Sequence, residues 1–524
     1  MTKSTTLASR IANAKNSSTP NHLIVIARAG TGKTTTLIEG LKVLRGEESE
    51  FTPSTQQEAI WYEMAASRQA RSICFVAFNK SIATELQQRV PKGCDAMTMH
   101  SMGMKAVRKA FELSKVNGVH AYRVDDIISE ITGKDCRELR KDQPELLNFT
   151  KKLVSLCKQN LVDHRASDIV EQLGQLASYY DLDLNGEQER IFELVPKVLE
   201  RCLDVPKDAC IDFDDMIWLP VALNLNVFKY DLLLVDEAQD LNRCQQQLAL
   251  KAGRRLILCG DPSQAIYGFA GADSESLTRM ATILKDTTGV DVTTLPLTVT
   301  RRCGIAIVKE AQRLVPDFDY FEGNGEGKVQ SLGYDPDSKN NYAAHVKDGD
   351  MVLCRTNAPL VSQCFSFIRK GRKANIQGRD IGAGLISTIK KLKATSIDDL
   401  LDKLDKWYDN ESKKEQRKKN PSDARMIALS DRYECLGCFV SEATTVEGVI
   451  KKIEAIFTDQ DTAGIKLSSG HKSKGLEASN VFLLMPKEAP CPHPMAKTPW
   501  QVEQEYNLLY VMITRAIECL TYVR

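Results

Sequence analysis

Apolar positions along the chain alternate between short β-branched runs and longer stretches at helical spacing. "HLIVIA" (22–27) has the form of a buried strand, and in the "KTTTLIEGLKVL" that follows, Leu37, Leu41 and Leu44 recur on one helix face. "YDLLLVDEAQD" (230–240) is a second buried strand that ends in acids, and "RRLILCGDPSQ" (254–264) is a third that ends in Asp261 and Gln264. From 104 to 205 the pattern is helical, as in "LLNFTKKLVSLCKQNLV". Strands alternating with helices predict an α/β fold with parallel sheets. A chain of 524 residues has room for about three or four domains.

The turn between the first strand and its helix carries chemistry. Residues 27–34, "ARAGTGKT", follow G-x-x-x-x-G-K-[ST] except that Ala27 stands where the first glycine is usual. Gly30 and Gly32 let backbone N–H groups close around phosphates, and the helix N-terminus adds its dipole. Ala29, Gly30, Thr31, Gly32, Lys33, Thr34 and Thr35 form the expected ATP cradle, with Lys33 on the β- and γ-phosphates and Thr34 on Mg²⁺. The acids closing the second strand answer that loop: Asp236 for Mg²⁺, Glu237 to polarise the attacking water. Polar groups at successive strand ends are where an open parallel sheet assembles a site. These residues describe an ATPase core.

The order of further motifs resembles superfamily 1 helicases of the UvrD/Rep/PcrA group, whose phosphate loop commonly begins with alanine. "FVAFNKSIATEL" (75–86), "TMHSMG" (98–103), "IDFDDMI" (211–217) and "GDPSQAIYGFAGAD" (260–273) resemble motifs of the first half. "LTVTRRCGIAIV" (297–308), "MVLCRTN" (351–357), "LSSGHKSKGLEASNVFLL" (467–484) and "EQEYNLLYVMITRAIECL" (503–520) resemble those of the second. The resemblance implies two RecA-like parallel-sheet lobes with ATP between them, a helical insertion in the first lobe and a small insertion in the second. Its boundaries are 1–103 and 206–290 for the first lobe around a 104–205 insertion, then 291–375 and 460–524 around a reduced 376–459 insertion.

The same resemblance assigns Gln264 as γ-phosphate sensor, Arg302 and Arg515 as γ-phosphate arginines, and Glu477 as a contact near the nucleotide sugar. It places Asn79, Thr98, His100, Ser469 and His471 on the DNA backbone. Tyr267 and Phe269 are either platforms for unstacked bases or core packing. Three departures stand out: Ala270 replaces a motif III arginine, Arg301 replaces an aromatic that stacks on adenine, and no adenine-reading glutamine precedes the loop. Gln56, in "FTPSTQQEAIW" (51–61), serves adenine or simply starts a surface helix.

Net charge is only +1, so nucleic acid must be met through local grooves rather than bulk charge. The run "ESKKEQRKKNPSDAR" (411–425) meets phosphates or is a solvated linker. Fifteen scattered cysteines and a polar start predict reduced thiols in a cytoplasmic protein with no membrane segment, and the compact size suits a bacterial or phage gene. Cys435 and Cys438, with Cys491 and His493, are either a zinc set or buried structural residues. The expectation is an ATP- and Mg²⁺-dependent helicase moving 3′ to 5′ on single-stranded DNA and at single-strand/duplex junctions. Its alternatives are a translocase that displaces proteins from DNA and an ATPase subunit of a nuclease or defence complex. A replication, recombination or nuclease protein is the expected partner class.

Overall fold

A computed structural model describes residues 20–113, 118–180, 182, 187–266, 275–334, 341–417, 423–457, 464–487, 489–494, 496 and 498–524. The chain divides into two units, one comprising residues 1–28 and 32–297, the other residues 29–31 and 298–524. In the first unit β1 (His22–Ala27), β2 (Ile73–Ala77), β3 (Cys94–Thr98), β4 (Tyr230–Val235), β5 (Gly253–Gly260) and β6 (Val292–Leu297) form one parallel sheet in the order β3-β2-β4-β5-β1-β6. Because β6 pairs with β1 in register from His22–Val292 to Ala27–Leu297, this unit runs to Leu297, beyond the expected boundary at 290.

Strand periodicity explains how the sheet is covered. Leu23, Val25 and Ala27 of β1 and Leu232 and Leu234 of β4 point to one face, where Leu37, Leu41 and Leu44 of the helix Lys33–Leu44 cover them beside Trp61. Ile24, Leu233 and Val235 point to the other face and share a core with the helices that run from Met99 to Cys202. The helical insertion is therefore continuous with one face of the sheet. Its expected start at 104 falls inside the helix Met99–Phe111.

Buried charges fasten that insertion. Arg123 and Lys158, each 1% exposed, meet the fully buried Asp215 at 2.6 and 2.8 Å; Arg123 also meets Asp208 at 2.9 Å, and Lys158 meets Asp212 at 2.5 Å. Burial alone would lower the Lys158 ammonium, but Asp212 and Asp215 hold it well above its usual range. The "IDFDDMI" segment is pinned by these pairs against two insertion helices.

The second unit holds β9 (Lys328–Leu332), β10 (Met351–Cys354), β11 (Ala374–Ile376), β12 (Ile465–Ser469), β13 (Ala478–Leu484) and β14 (Ala516–Val523), all parallel, in the order β11-β12-β10-β13-β14-β9. The pair β7 (Val299–Thr300) and β8 (Asp319–Tyr320) stands apart from that sheet. Between β11 and β12 the chain forms the helices Arg379–Leu392, Ile397–Gln416, Asp423–Ser441 and Val446–Ile456, packed into the unit's own core. No described helix is long and apolar enough to cross a membrane.

Candidate active site and nucleic-acid interface

Three neighbouring strands of the first sheet, β4, β5 and β1, deliver the site at their carboxyl ends. The loop leaving β1 turns through Gly30 and Gly32 at φ 66° and 77°, a left-handed backbone that a Cβ would strain. Gly32 caps the helix that starts at Lys33. From there the Thr34 hydroxyl donates to Asp236 Oδ2, and Lys33 Nζ lies 3.2 Å from Glu237 Oε2. Glu237 itself sits at φ 51°, a conformation that costs a non-glycine residue about 1 kcal/mol or more and recurs at functional sites.

A second layer of amides and acids holds those groups. Gln239 Nε2 donates to Glu237 Oε2 at 2.7 Å, while its Oε1 accepts from the Asp261 amide at 3.0 Å. Gly260 permits this, since a Cβ there would lie 2.4 Å from Gln239 Oε1. Gln264 donates to Asp261 Oδ2 at 2.8 Å, and Arg28 donates to Asp261 Oδ1 at 2.9 Å. Gln264 and Glu237 are thus joined through Asp261 and Gln239.

Electrostatics follow from burial. Desolvation would lower the Lys33 ammonium, but Glu237, Asp261 and Asp236 more than offset it and hold it above its usual range. Asp236 is pushed up to about 6, first by burial and then by Glu237, against the pull of Lys33 and Thr34. Carboxylates beside one lysine and a hydroxyl are an oxygen donor set short of positive charge, which fits a hard dication such as Mg²⁺. Thr34 and Asp236 would hold it.

In the second unit Arg302, Glu477 and Arg515 come together. Arg302 Nε lies 2.6 Å from Glu477 Oε2. Arg515 is 2% exposed and donates to the carbonyls of Val511 and Leu476 at 2.9 and 3.1 Å and to Thr514 Oγ1 at 3.1 Å. Its guanidinium is oriented by its own unit. Arg301, at the position of the missing aromatic, lies 4.3 Å from the Phe321 ring centroid as a cation–π pair. Ser469 is buried at the end of β12. His471 is brought down to about 4 by burial and by Arg355, which Glu505 opposes while pairing Arg355 at 2.7 Å.

Asn79 and Thr98 lie at the ends of β2 and β3 as helix caps. Asn79 Oδ1 accepts from the Ile82 amide at 2.9 Å, and Thr98 Oγ1 from the Ser101 amide at 3.2 Å. His100 stacks on Phe213, ring centroids 4.0 Å apart, and burial lowers its pKa against the pull of Asp214. Phe213 and Phe78 are 58% and 55% exposed, aromatic surfaces beside those caps that pattern reading passed over. An aromatic inside the acidic "IDFDD" string was the available signal for Phe213. Tyr267, Phe269 and Ala270 lie outside the described residues.

Gln56 lies in the first turn of the helix Thr55–Ala65, whose Ser54–Gln57 capping box directs Gln57 Nε2 onto Thr36 Oγ1 at 2.9 Å. Cys435 and Cys438 share the helix Asp423–Ser441, where Cys435 packs in the second unit's core. Cys491 Sγ approaches the Glu505 carbonyl at 3.8 Å. Among the described residues no three histidine, cysteine or acidic side chains gather as a metal set. Part of the 411–425 run continues the helix Ile397–Gln416, and 418–422 lie outside the described residues.

Family models match both units. Residues 9–284 match the UvrD/REP helicase N-terminal domain, and residues 347–523 match the UvrD-like helicase C-terminal domain. The chain belongs to the UvrD-like helicase family. This UvrD-like chain is 24% identical over 540 residues to F-box DNA helicase protein 1 of Schizosaccharomyces pombe, covering 94% of the chain and 54% of that protein. It is 23% identical over 530 residues to F-box DNA helicase 1 of Gallus gallus, covering 95% and 46%. With the ATP-dependent DNA helicase Rep of Escherichia coli it shares 26% over 281 residues, 49% of the chain and 36% of that protein. The chain spans about half the length of the first two relatives and less of the third. Its two parallel sheets are those of two RecA-like lobes.

Proposed function

We propose that this chain is an ATP- and Mg²⁺-dependent DNA motor that translocates 3′ to 5′ on single strands and unwinds duplex. The carrying observation is the direct bonding of Thr34 to Asp236 and of Lys33 to Glu237, which gathers phosphate cradle, metal ligands and water-polarising acid in one buried site. Gln264, tied through Asp261 to that acid, is the proposed γ-phosphate sensor. Arg302 and Arg515 are the proposed γ-phosphate arginines, with Glu477 near the sugar. A planar, permanently charged fork suits phosphoryl oxygens in the transition state. The helix-cap positions Asn79 and Thr98, with His100, Ser469 and His471, are proposed backbone contacts. Tyr267 and Phe269 keep the base-stacking role that the resemblance implies, and exposed Phe213 and Phe78 join them.

The two helical segments are proposed as the family's first-lobe and second-lobe insertions. A second reading, displacement of DNA-bound proteins, is favoured by the modest size of the second insertion, four helices within 379–456. The F-box names of two relatives support a protein partner. ATPase assays with and without single-stranded DNA, beside unwinding of 3′-tailed and 5′-tailed duplexes, test the reading. DNA-stimulated turnover with unwinding of 3′-tailed substrates alone is expected. Preferential unwinding of 5′-tailed substrates at equal binding would overturn the polarity, and absence of ATP turnover would overturn the motor.

A further inference from the structure

The phosphate loop carries a second cation that its motif does not require. In "ARAGTGKT" the variable position after Ala27 is Arg28, and its side chain is 13% exposed. The Arg28 amide donates to the Leu297 carbonyl at 2.9 Å, next to the last pair of the β1–β6 register. From that anchored backbone, Nη1 donates to Asp261 Oδ1 at 2.9 Å and to Ser263 Oγ at 3.2 Å. Arg28 thus ties the loop after β1 to the loop after β5.

Asp261 is the fully buried centre of this arrangement. Its Oδ1 accepts from Arg28 and from the Ser263 amide at 3.1 Å, and its Oδ2 accepts from Gln264 Nε2 at 2.8 Å. Its own amide donates to Gln239 Oε1 at 3.0 Å. A buried carboxylate is costly unless a cation and hydrogen bonds compensate it. Lys33 contributes through its field, but its ammonium is bonded to Glu237. Arg28 is the cation that bonds Asp261 directly.

The bond pattern divides the carboxylate between two tasks. One oxygen is taken by the guanidinium and the Ser263 amide, which leaves the other facing Gln264. Asp261 also caps the short turn Pro262–Gln264 that carries this glutamine. A side-chain amide can exchange a carboxylate oxygen for a phosphoryl oxygen, since both are anionic acceptors. That exchange is well aimed only while the carboxylate and the turn it caps stay in place. Without the guanidinium, Oδ1 loses its charged partner, and the turn loses the fixed cap from which Gln264 reaches.

We propose that Arg28 is a positioning residue for γ-phosphate recognition, acting through Asp261 on Gln264. The inference rests on the reading of Gln264 as γ-phosphate sensor. Its test is fluorescence titration of the full chain with N-methylanthraniloyl ADP and N-methylanthraniloyl ATPγS. Arg28→Met should weaken ATPγS binding about tenfold, the scale of a hydrogen bond to a charged group, and leave ADP binding within about twofold. Gln264→Ala should show the same selective loss. The double variant should bind ATPγS no more weakly than Gln264→Ala alone, because one residue acts through the other. Arg28→Lys keeps a cation beside Asp261 but lacks the planar fork, so it should fall between wild type and Arg28→Met. This lysine variant carries the test if the methionine variant does not fold. An ATPγS preference unchanged in the Arg28 variants while Gln264→Ala loses it would overturn the inference and leave the sensor reading standing. Full additivity in the double variant, or equal weakening of ADP and ATPγS, would overturn it as well. Gln264→Ala without effect on the preference would remove the sensor reading itself.

Discussion

The two sheets are built alike, while the candidate groups near them differ in charge: acids and one lysine in the first unit, arginines in the second. Each is six parallel strands; the first carries its candidate side chains just beyond β1, β4 and β5, whereas the second has Glu477 and Arg515 just before β13 and β14 and Arg302 after β7, outside that sheet. In the first unit those side chains are Lys33, Thr34, Asp236, Glu237 and Gln264, bonded to one another in a buried, cation-poor site. In the second they are Arg302 and Arg515, one paired to Glu477 and the other held by carbonyls of its own unit. On the proposed roles, the first unit's site binds nucleotide and the second unit's arginines act in its hydrolysis. Those roles make separable binding and hydrolysis the expected behaviour of this chain.

The strongest way to break the comparison is Lys33→Ala. It should abolish ATP turnover and weaken nucleotide binding, since the replacement leaves Glu237 without its cation; near-normal turnover in a coupled ATPase assay would refute the site. Arg515→Lys sharpens it from the other side. Loss of the fork should reduce turnover on the order of 10³-fold with nucleotide binding kept, and a fully active lysine variant would count against the role. Because that arginine also holds three partners in its own unit, Arg515→Ala should in addition lower the thermal midpoint.

A stability test uses the first unit's ionic clamp. Lys158→Ala leaves Asp212 and Asp215 buried with less compensation, and denaturant titration should show a loss of about 3–5 kcal/mol. A loss under 1 kcal/mol would mean that water reaches those acids. The smallest effect concerns pH. His22 is buried, accepts the Leu256 amide on Nδ1 at 3.1 Å, and is lowered to about 4, first by burial and then by Arg255. An unfolded histidine takes up its proton near 6.5, so the unfolded state binds more protons between 6.5 and 4. Stability should be full above pH 6.5 and fall toward pH 4, by up to about 3 kcal/mol. His22→Gln should flatten that part of the pH profile, and an unchanged slope would assign it to other groups.

Local pattern determined much of this protein. The run 22–27 with its glycines, the acids after 230–235 and the leucines at 37, 41 and 44 each express an interaction within a few residues, so their types and spacing were readable directly. Parallel pairing was implied by the alternation of strands and helices. Strand order was not, because β1 joins β5 and β4 only through pairing across more than two hundred residues, and that pairing is what sets Glu237 beside Lys33. The end of the first unit was misplaced at 290 for the same reason: β6 is a partly exposed edge strand whose membership depends on its partner β1. Gln57 rather than Gln56 faces the loop's helix because the cap at Ser54 fixes the rotation of that helix. Phe213 gains its stacking partner His100 through the folding of distant segments, held in place by Lys158 and Arg123. Sequence by itself determined which chemical groups this protein has and which elements carry them. Tertiary structure decided which of those groups meet, since charge pairing and stacking act over a few ångströms and only chain crossovers bring remote residues that close.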